Sequence, residues 1–397
     1  MLSAFTAVFM LSHAFRTVVA VSADTLAEQF GASAQALATV AGAFHIAFAF
    51  SQPIVGVMLD RHGPRRVVIV AFLAAIAGCL ISACATDLST LIVGQYLVGF
   101  GCAPALLSAM VFISKQYPGD RFAALSGLVL SIGGFGMLLT STPLAWVIDR
   151  WSWRAGFWLL FALSVASWVA VVLCDDGAGA TDDAPRESIR EMLLGLGSIL
   201  LQPYTAGICG LAFTTYAAFM ALRGLWLGPL LSERYGFSLL EIGNIALAVS
   251  FAGVLGPLIA GRLDPGSRFR RRLIVGCTLA YAGLFVLHAV GAGTRVDIAL
   301  LVFNGLFAGY ISLQYADVRS AYPSKMTGRA LSVFTMAMFA GVAGVQWLSG
   351  AAATLAPRLG FEPLQAALLT VGVLLVMGAL SFWLLPQPPT PHQPINH

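Results

Sequence analysis

Charge is scarce in this chain. Only 10% of its 397 residues are Asp, Glu, Lys or Arg, against about 25% in a soluble domain. A soluble globular protein is therefore excluded. Lysine is rarer still, at Lys115 and Lys325 alone, and the net charge of +4 carries no signal for a nucleic-acid partner. The six cysteines (Cys79, Cys84, Cys102, Cys174, Cys209, Cys277) form no CxxC pair and sit in or beside apolar runs, where they read as small packing residues rather than a metal or redox site. There is no HExxH, no GxSxG and no carboxylate pair within an apolar stretch, so nothing points to an enzyme, a cofactor or a metal.

What is abundant is apolar sequence, 58% of all residues, with a mean hydropathy of +0.85. Twelve apolar stretches can be counted, at about 3–23, 36–58, 67–85, 89–113, 122–147, 155–174, 203–231, 240–262, 273–291, 298–317, 329–355 and 363–385. Most approach or exceed the ~20 residues that a helix needs to cross a bilayer. The expectation is an all-α integral membrane protein with 12 transmembrane helices. The first apolar run has no basic residue before it and contains Arg16, which favours an uncleaved span over a signal peptide.

One long polar run, containing DDGAGATDDAPRESIREM, divides the chain. We read residues 1–174 as a first six-helix bundle, 175–202 as a linker, 203–385 as a second bundle and 386–397 as a disordered Pro-rich tail. With both termini cytoplasmic, fifteen Lys and Arg residues fall in inner loops and five in outer ones. That is a clear positive-inside bias. The halves repeat. PIVGVMLDRHGPRR follows the second stretch and PLIAGRLDPGSRFRR the eighth, with Pro53 matching Pro257 and Asp60 matching Asp264 at an offset of 204. Six plus six helices with such a repeat is the pattern of two-bundle secondary transporters.

The run Gly56-Val-Met-Leu-Asp60-Arg61-His-Gly63-Pro-Arg65-Arg66 resembles the loop 2–3 signature of the major facilitator superfamily, G-x-x-x-D-R-x-G-R-[RK]-[RK], with Pro64 at one basic position. The resemblance covers the whole chain. It implies two pseudo-symmetric six-helix bundles that rock about a central site, a monomer, and a place in a bacterial inner membrane. It also implies a gating role for Gly56, Asp60, Arg61, Gly63, Arg65 and Arg66, with Asp264 as the repeat of Asp60. A carboxylate at the end of span two, near a helix N-terminus, would latch one state, which in the family is the outward-open one. Two patterns of proton-coupled exporters are incomplete: Gln95 stands where R-x-L-x-G-x-G has Arg, and GGFGMLLTSTPL lacks a Gly-Pro pair. Export of amphipathic compounds is thus the alternative reading, not the first.

Two arginines interrupt apolar helices at matching depths: Arg16 in MLSHAFRTVVAV and Arg223 in AFMALRGLWLGPLL. A charge in mid-bilayer costs at least ~2.5–3.5 kcal/mol, so it faces a cavity or a partner. The pair is expected to converge on a small anionic solute, carboxylate or phosphate-containing, as the resemblance to organic-anion and organophosphate carriers implies. Gln52 stands where organophosphate carriers commonly have a basic residue, which disfavours free phosphate. The other outcome is that each arginine pairs with backbone or a neighbouring helix. His13, His45, Tyr216, Asn304, Tyr310, Gln314 and Gln346 are the polar neighbours in apolar runs, and His13 and His45 are the candidates for a coupling proton. His288, near a helix end, reads as structural.

Overall fold

The computed structural model describes residues 1–116, 119–174, 197–322 and 327–388. Most of the expected linker (175–196) and tail (389–397) lies outside the described residues. Among those described there is no strand. Among the described residues, eleven helices are long and apolar enough to cross a membrane. Span two is Ala34–Gly56, three Arg61–Ala83, four Leu88–Ile113, five Ser131–Arg150, six Trp153–Leu173 and seven Thr205–Tyr235. Eight is Leu239–Arg262, nine Phe269–Val290, ten Thr294–Ala321, eleven Arg329–Leu359 and twelve Pro363–Leu384. Span one completes the twelve, but in pieces: Leu2–Phe15, Val18–Val21 and Ala23–Phe30. The all-α, twelve-span architecture expected from hydropathy is therefore the one observed.

Local chemistry sets several boundaries. The Ser33, Asp87 and Ser152 side chains each accept from the backbone N–H three residues on, at the starts of spans two, four and six. Ser238 and Glu241 form a reciprocal capping box at the start of span eight. Gly31 and Gly236 end their helices in the left-handed conformation.

The internal repeat is visible in the backbone. Span two turns into span three at Gly63, with φ 75° and ψ 159°, and span eight turns into span nine at Gly266, with φ 79° and ψ 171°. A side chain rarely tolerates such angles, so glycine is required at both places. Basic residues then tie down the same end of each half. Arg65 donates to the carbonyls of Val172 (2.7 Å) and Val171 (3.4 Å) at the close of span six. Arg270 pairs with Asp264 and Arg271 with Asp317, both at 2.8 Å. Arg61 is exposed, and the side chain of Asp60 lies outside the described part of the structure.

The halves meet along two seams, span two on span eleven and span five on span eight. We call the end where span six stops and span seven starts the linker end, and the opposite one the far end. Contacts across the seams lie at the far end or near midspan. Gly42 packs on Ala343, Gly350 on Ala38, and Gly243 on Ala145 and Thr142. Gln35 N–H donates to Thr354 Oγ1 at 3.3 Å, and Thr142 Oγ1 to Asn244 Oδ1 at 2.7 Å. Toward the linker end, Phe50, Ile54, Phe251 and Leu258 of these spans are exposed, as is Leu128 just before span five. The halves are thus closed together at the far end.

Candidate functional site

Several spans lose regular geometry at midspan, four of them in pairs related by the repeat. Span one breaks at Arg16–Thr17, and span seven passes through a π-helical turn at Leu222–Trp226 that contains Arg223. Span four breaks at Ala103–Pro104, and span ten tightens to a 3-10 turn at Ala308–Ile311. Span five breaks at Thr140–Ser141, just before Pro143. Proline has no N–H to give the preceding turn, so carbonyls there go free. Broken helices of this kind place unpaired backbone groups, and often ligand sites, near the bilayer centre.

The two arginines sit on these breaks, and spans one and seven do face each other. A Cβ on Gly224 would lie 3.4 Å from the carbonyl of Arg16. Both side chains are buried, at 7% exposure for Arg16 and 1% for Arg223. Their surroundings differ in kind.

Arg223 is held by the protein. Its Nε donates to Ser250 Oγ of span eight at 2.8 Å. Its Nη2 donates across the seam to Ser141 Oγ (2.8 Å) and to the carbonyls of Met137 and Thr140 (both 3.3 Å). Those carbonyls lie where the helix Gly119–Leu139 ends, the negative end of its dipole. Hydrogen bonds to a charged group contribute about 1.5–3 kcal/mol each. Four of them exceed the ~2.5–3.5 kcal/mol insertion cost of the charge.

Arg16 is held loosely. Its Nη1 lies 3.2 Å from Tyr216 Oη, to which it donates, and 3.3 Å from His13 Nε2. The guanidinium carbon stands 4.8 Å from the ring centre of Phe339 and 5.2 Å from that of Phe48. The two rings come from spans eleven and two, and their centres are 4.4 Å apart. At ~0.5–2 kcal/mol per ring, they offset much of the cost of the charge. Nε has no hydrogen-bond partner among the described residues. Arg16 is thus the guanidinium with donor capacity left over.

A short polar chain links the two breaks. Thr17 and Thr140 share a hydrogen bond of 2.5 Å between their hydroxyls, and the Thr140 carbonyl accepts from Arg223. Gln346 reaches the Met220 carbonyl at 3.3 Å and lies against Gly224, with its Oε1 free of protein partners among the described residues. His45 is fully buried near Phe339, its Nδ1 3.0 Å from the Ala41 carbonyl and its Nε2 without a partner among the described residues.

The remaining expected residues are placed elsewhere. Asn304 lies in a buried network of the second half, accepting from Tyr281 Oη at 2.9 Å and lying 3.5 Å from His288 Nε2. Tyr310 donates to Thr278 Oγ1 at 3.1 Å, and Gln314 to Thr215 Oγ1 at 3.0 Å. Gln95 donates to Ser82 Oγ at 3.2 Å, inside the first half. Phe48, Phe339, Thr17, Thr140, Ser141 and Ser250 were not singled out from the sequence. The run Thr140-Ser141-Thr142-Pro143 was the available signal: three hydroxyls and a proline in mid-span.

A membrane protein of two repeated six-helix halves, with irregular helices meeting at midspan, is the architecture of a secondary transporter. The family model for the Major Facilitator Superfamily matches residues 5–228 and 224–397, and the chain belongs to that superfamily. It is 26% identical over 363 residues to a Bacillus subtilis (strain 168) protein named as a niacin/nicotinamide transporter, covering 87% of this chain and 85% of that one. It is 24% identical over 403 residues to the hexuronate transporter of Escherichia coli (strain K12), covering 94% and 90%. Among solved structures, that of the nucleoside transporter NupG matches with a TM-score of 0.78 at 14% identity, over 96% of this chain and 99% of that one.

Proposed function

We propose that this transporter moves a small organic anion across a bacterial inner membrane by alternating access, with Arg16 as the primary anion-binding group. The observation that carries the reading is the buried Arg16 guanidinium, bonded to the other half through Tyr216 and left at midspan with an Nε–H that has no partner among the described residues. A planar guanidinium pairs with a carboxylate or phosphate through two parallel hydrogen bonds. A carboxylate is favoured over phosphate: hexuronate, named for one relative, carries one, as does niacin, named together with the neutral nicotinamide for the other.

With the termini and linker in the cytoplasm, as the basic loops favour, the closed far end is the outer one and this conformation opens inward. Arg223 then has two roles in sequence. In the inward-open state it clasps Met137, Thr140 and Ser141 of the opposite half. When the halves part at the outer end, it loses those partners and becomes free to join Arg16 on the anion. His13, His45, Tyr216 and Gln346 flank the same space. Asn304 and Tyr310 support it from within the second half. Gly56, Asp60, Arg61, Gly63, Arg65, Arg66 and Asp264 form the latch at the inner end, and a proton on His13 or His45 is the coupling candidate. The protein works as a monomer.

Counterflow of a labelled monocarboxylate in proteoliposomes tests this. Wild type should exchange it and Arg16→Gln should not. Equal exchange by both would remove Arg16 from the mechanism.

A further inference from the structure

Three consecutive arginines open span nine, and they are not equivalent. Arg270 is bound by Asp264, and Arg271 by Asp317 and by the face of Phe382. Arg272 is exposed and has no hydrogen-bond or ion-pair partner among the described residues. It stands at the mouth of a cavity of about 440 Å³ between spans nine and twelve, whose walls are Val275, Gly276, Leu279, Leu380 and Trp383.

The position of this cavity decides what can enter it. Spans nine and twelve pack on each other and on neighbours of their own half. Their exposed residues, including Leu279, Leu287, Val373, Met377 and Leu380, form an apolar outer face. That face meets lipid rather than the passage between the halves. The two spans approach closely at Gly372, whose Cβ position is 3.4 Å from the Ala282 carbonyl. Nearer the linker end they diverge. A Cβ on Gly276, which lines the cavity, would meet nothing within 4 Å. The result is an apolar groove with one unpaired cation at its membrane-surface end. Trp383, 52% exposed, stands at the same level, where tryptophan commonly marks the bilayer interface.

We propose that this groove is a binding site for an anionic phospholipid: the headgroup phosphate on Arg272, one acyl chain along Gly276 and Leu279, and Trp383 at the glycerol level. Charge complementarity and volume both fit. A basic residue between transmembrane helices at the membrane surface attracts anionic headgroups, and the cavity falls within the ~300–1,000 Å³ range of ligand sites. The site is distinct from the central one and involves no residue placed there.

The test uses the full-length protein, delipidated in detergent and titrated with phosphatidylglycerol, with retained lipid counted by native mass spectrometry and stability followed by thermal unfolding. Phosphatidylglycerol should bind and stabilise wild type. Arg272→Gln should weaken binding about fivefold, the effect of one basic residue near a charged surface, and Arg272→Lys should restore most of it. Gly276→Leu, which fills the groove and keeps the charge, should weaken it as well. Phosphatidylcholine should bind more weakly than phosphatidylglycerol, and inorganic phosphate should neither stabilise the protein nor displace the lipid. The proposal is overturned if Arg272→Gln and Gly276→Leu retain phosphatidylglycerol like wild type, if phosphatidylcholine binds equally well, or if phosphate alone reproduces the effect.

Discussion

Arg223 of span seven donates to Ser141 of span five at 2.8 Å, and so joins helices of opposite halves at the point where one is π-helical and the other is broken. The bond is made possible by both irregularities. Three of the four partners of the buried charge, Met137, Thr140 and Ser141, belong to the opposite half.

This relationship predicts a shift in conformational balance. Arg223→Gln removes the charge from three contacts across the seam, a loss of order 2 kcal/mol or about thirtyfold in population. Gly42 and Ala343 provide the readout, since a Cβ on Gly42 lies 3.6 Å from that of Ala343, within disulfide range. In a background without the native cysteines, a Gly42→Cys, Ala343→Cys pair should cross-link readily, and adding Arg223→Gln should lower the yield severalfold. An unchanged yield would mean that Arg223 does not hold the far end shut.

Arg16 predicts an effect on binding rather than on closure. Removing one charged donor from a desolvated site costs about 1.5–3 kcal/mol, so Arg16→Gln should weaken binding of a carboxylate about 10- to 100-fold. Arg16→Lys should recover part of that, because it keeps the charge but loses the fork and the stacking on Phe48 and Phe339. Equilibrium binding of a labelled carboxylate to the three proteins separates these outcomes.

The twelve spans and the repeat were legible in the sequence because they rest on local properties: apolar runs of bilayer length, the matching Pro53/Pro257 and Asp60/Asp264 positions, and basic loops. The depth of Arg16 and Arg223 was legible for the same reason. Their partners were not. Phe48 and Phe339 are aromatic residues in apolar runs and look like any packing residue until spans two and eleven meet. Tyr216 shares span seven with Arg223, yet its hydroxyl bonds Arg16 of the other half. Whether Asn304 faces a cavity or a Tyr281 hydroxyl depends on rotation of span ten by a fraction of a turn, which the 3-10 segment Ala308–Ile311 alters locally.

His45 carries the prediction on coupling. Its buried Nε2 lacks a partner among the described residues, and the ring lies beside Phe339 on the seam between the halves. If it carries the coupling proton, His45→Ala abolishes accumulation driven by a pH gradient while exchange without a gradient persists. Accumulation equal to wild type would assign the proton elsewhere.

The Asp264–Arg270 ion pair predicts acid sensitivity. The Arg270 guanidinium beside Asp264 holds its carboxyl below the ordinary value of 3.8. A depressed carboxylate contributes stability that is present above 3.8 and lost as pH falls through the lower folded-state value. Asp264→Asn should therefore lower the unfolding temperature at neutral pH and flatten its decline below about pH 4. Parallel pH profiles for the variant and wild type would show that the ion pair contributes nothing measurable, as many exposed pairs do.

The central claim, an anion site built on Arg16, is tested most directly by thermal unfolding of the purified protein against a panel of ligands. Mono- and dicarboxylates, sugar phosphates and inorganic phosphate form the panel, with lipophilic cations and neutral amphiphiles as controls. A ligand at a hundred times its Kd stabilises the folded state by about 2.7 kcal/mol. The account predicts that a carboxylate raises the transition of wild type and not of Arg16→Gln. Stabilisation of both proteins alike by cations or neutral amphiphiles, with no response to any anion, would contradict it.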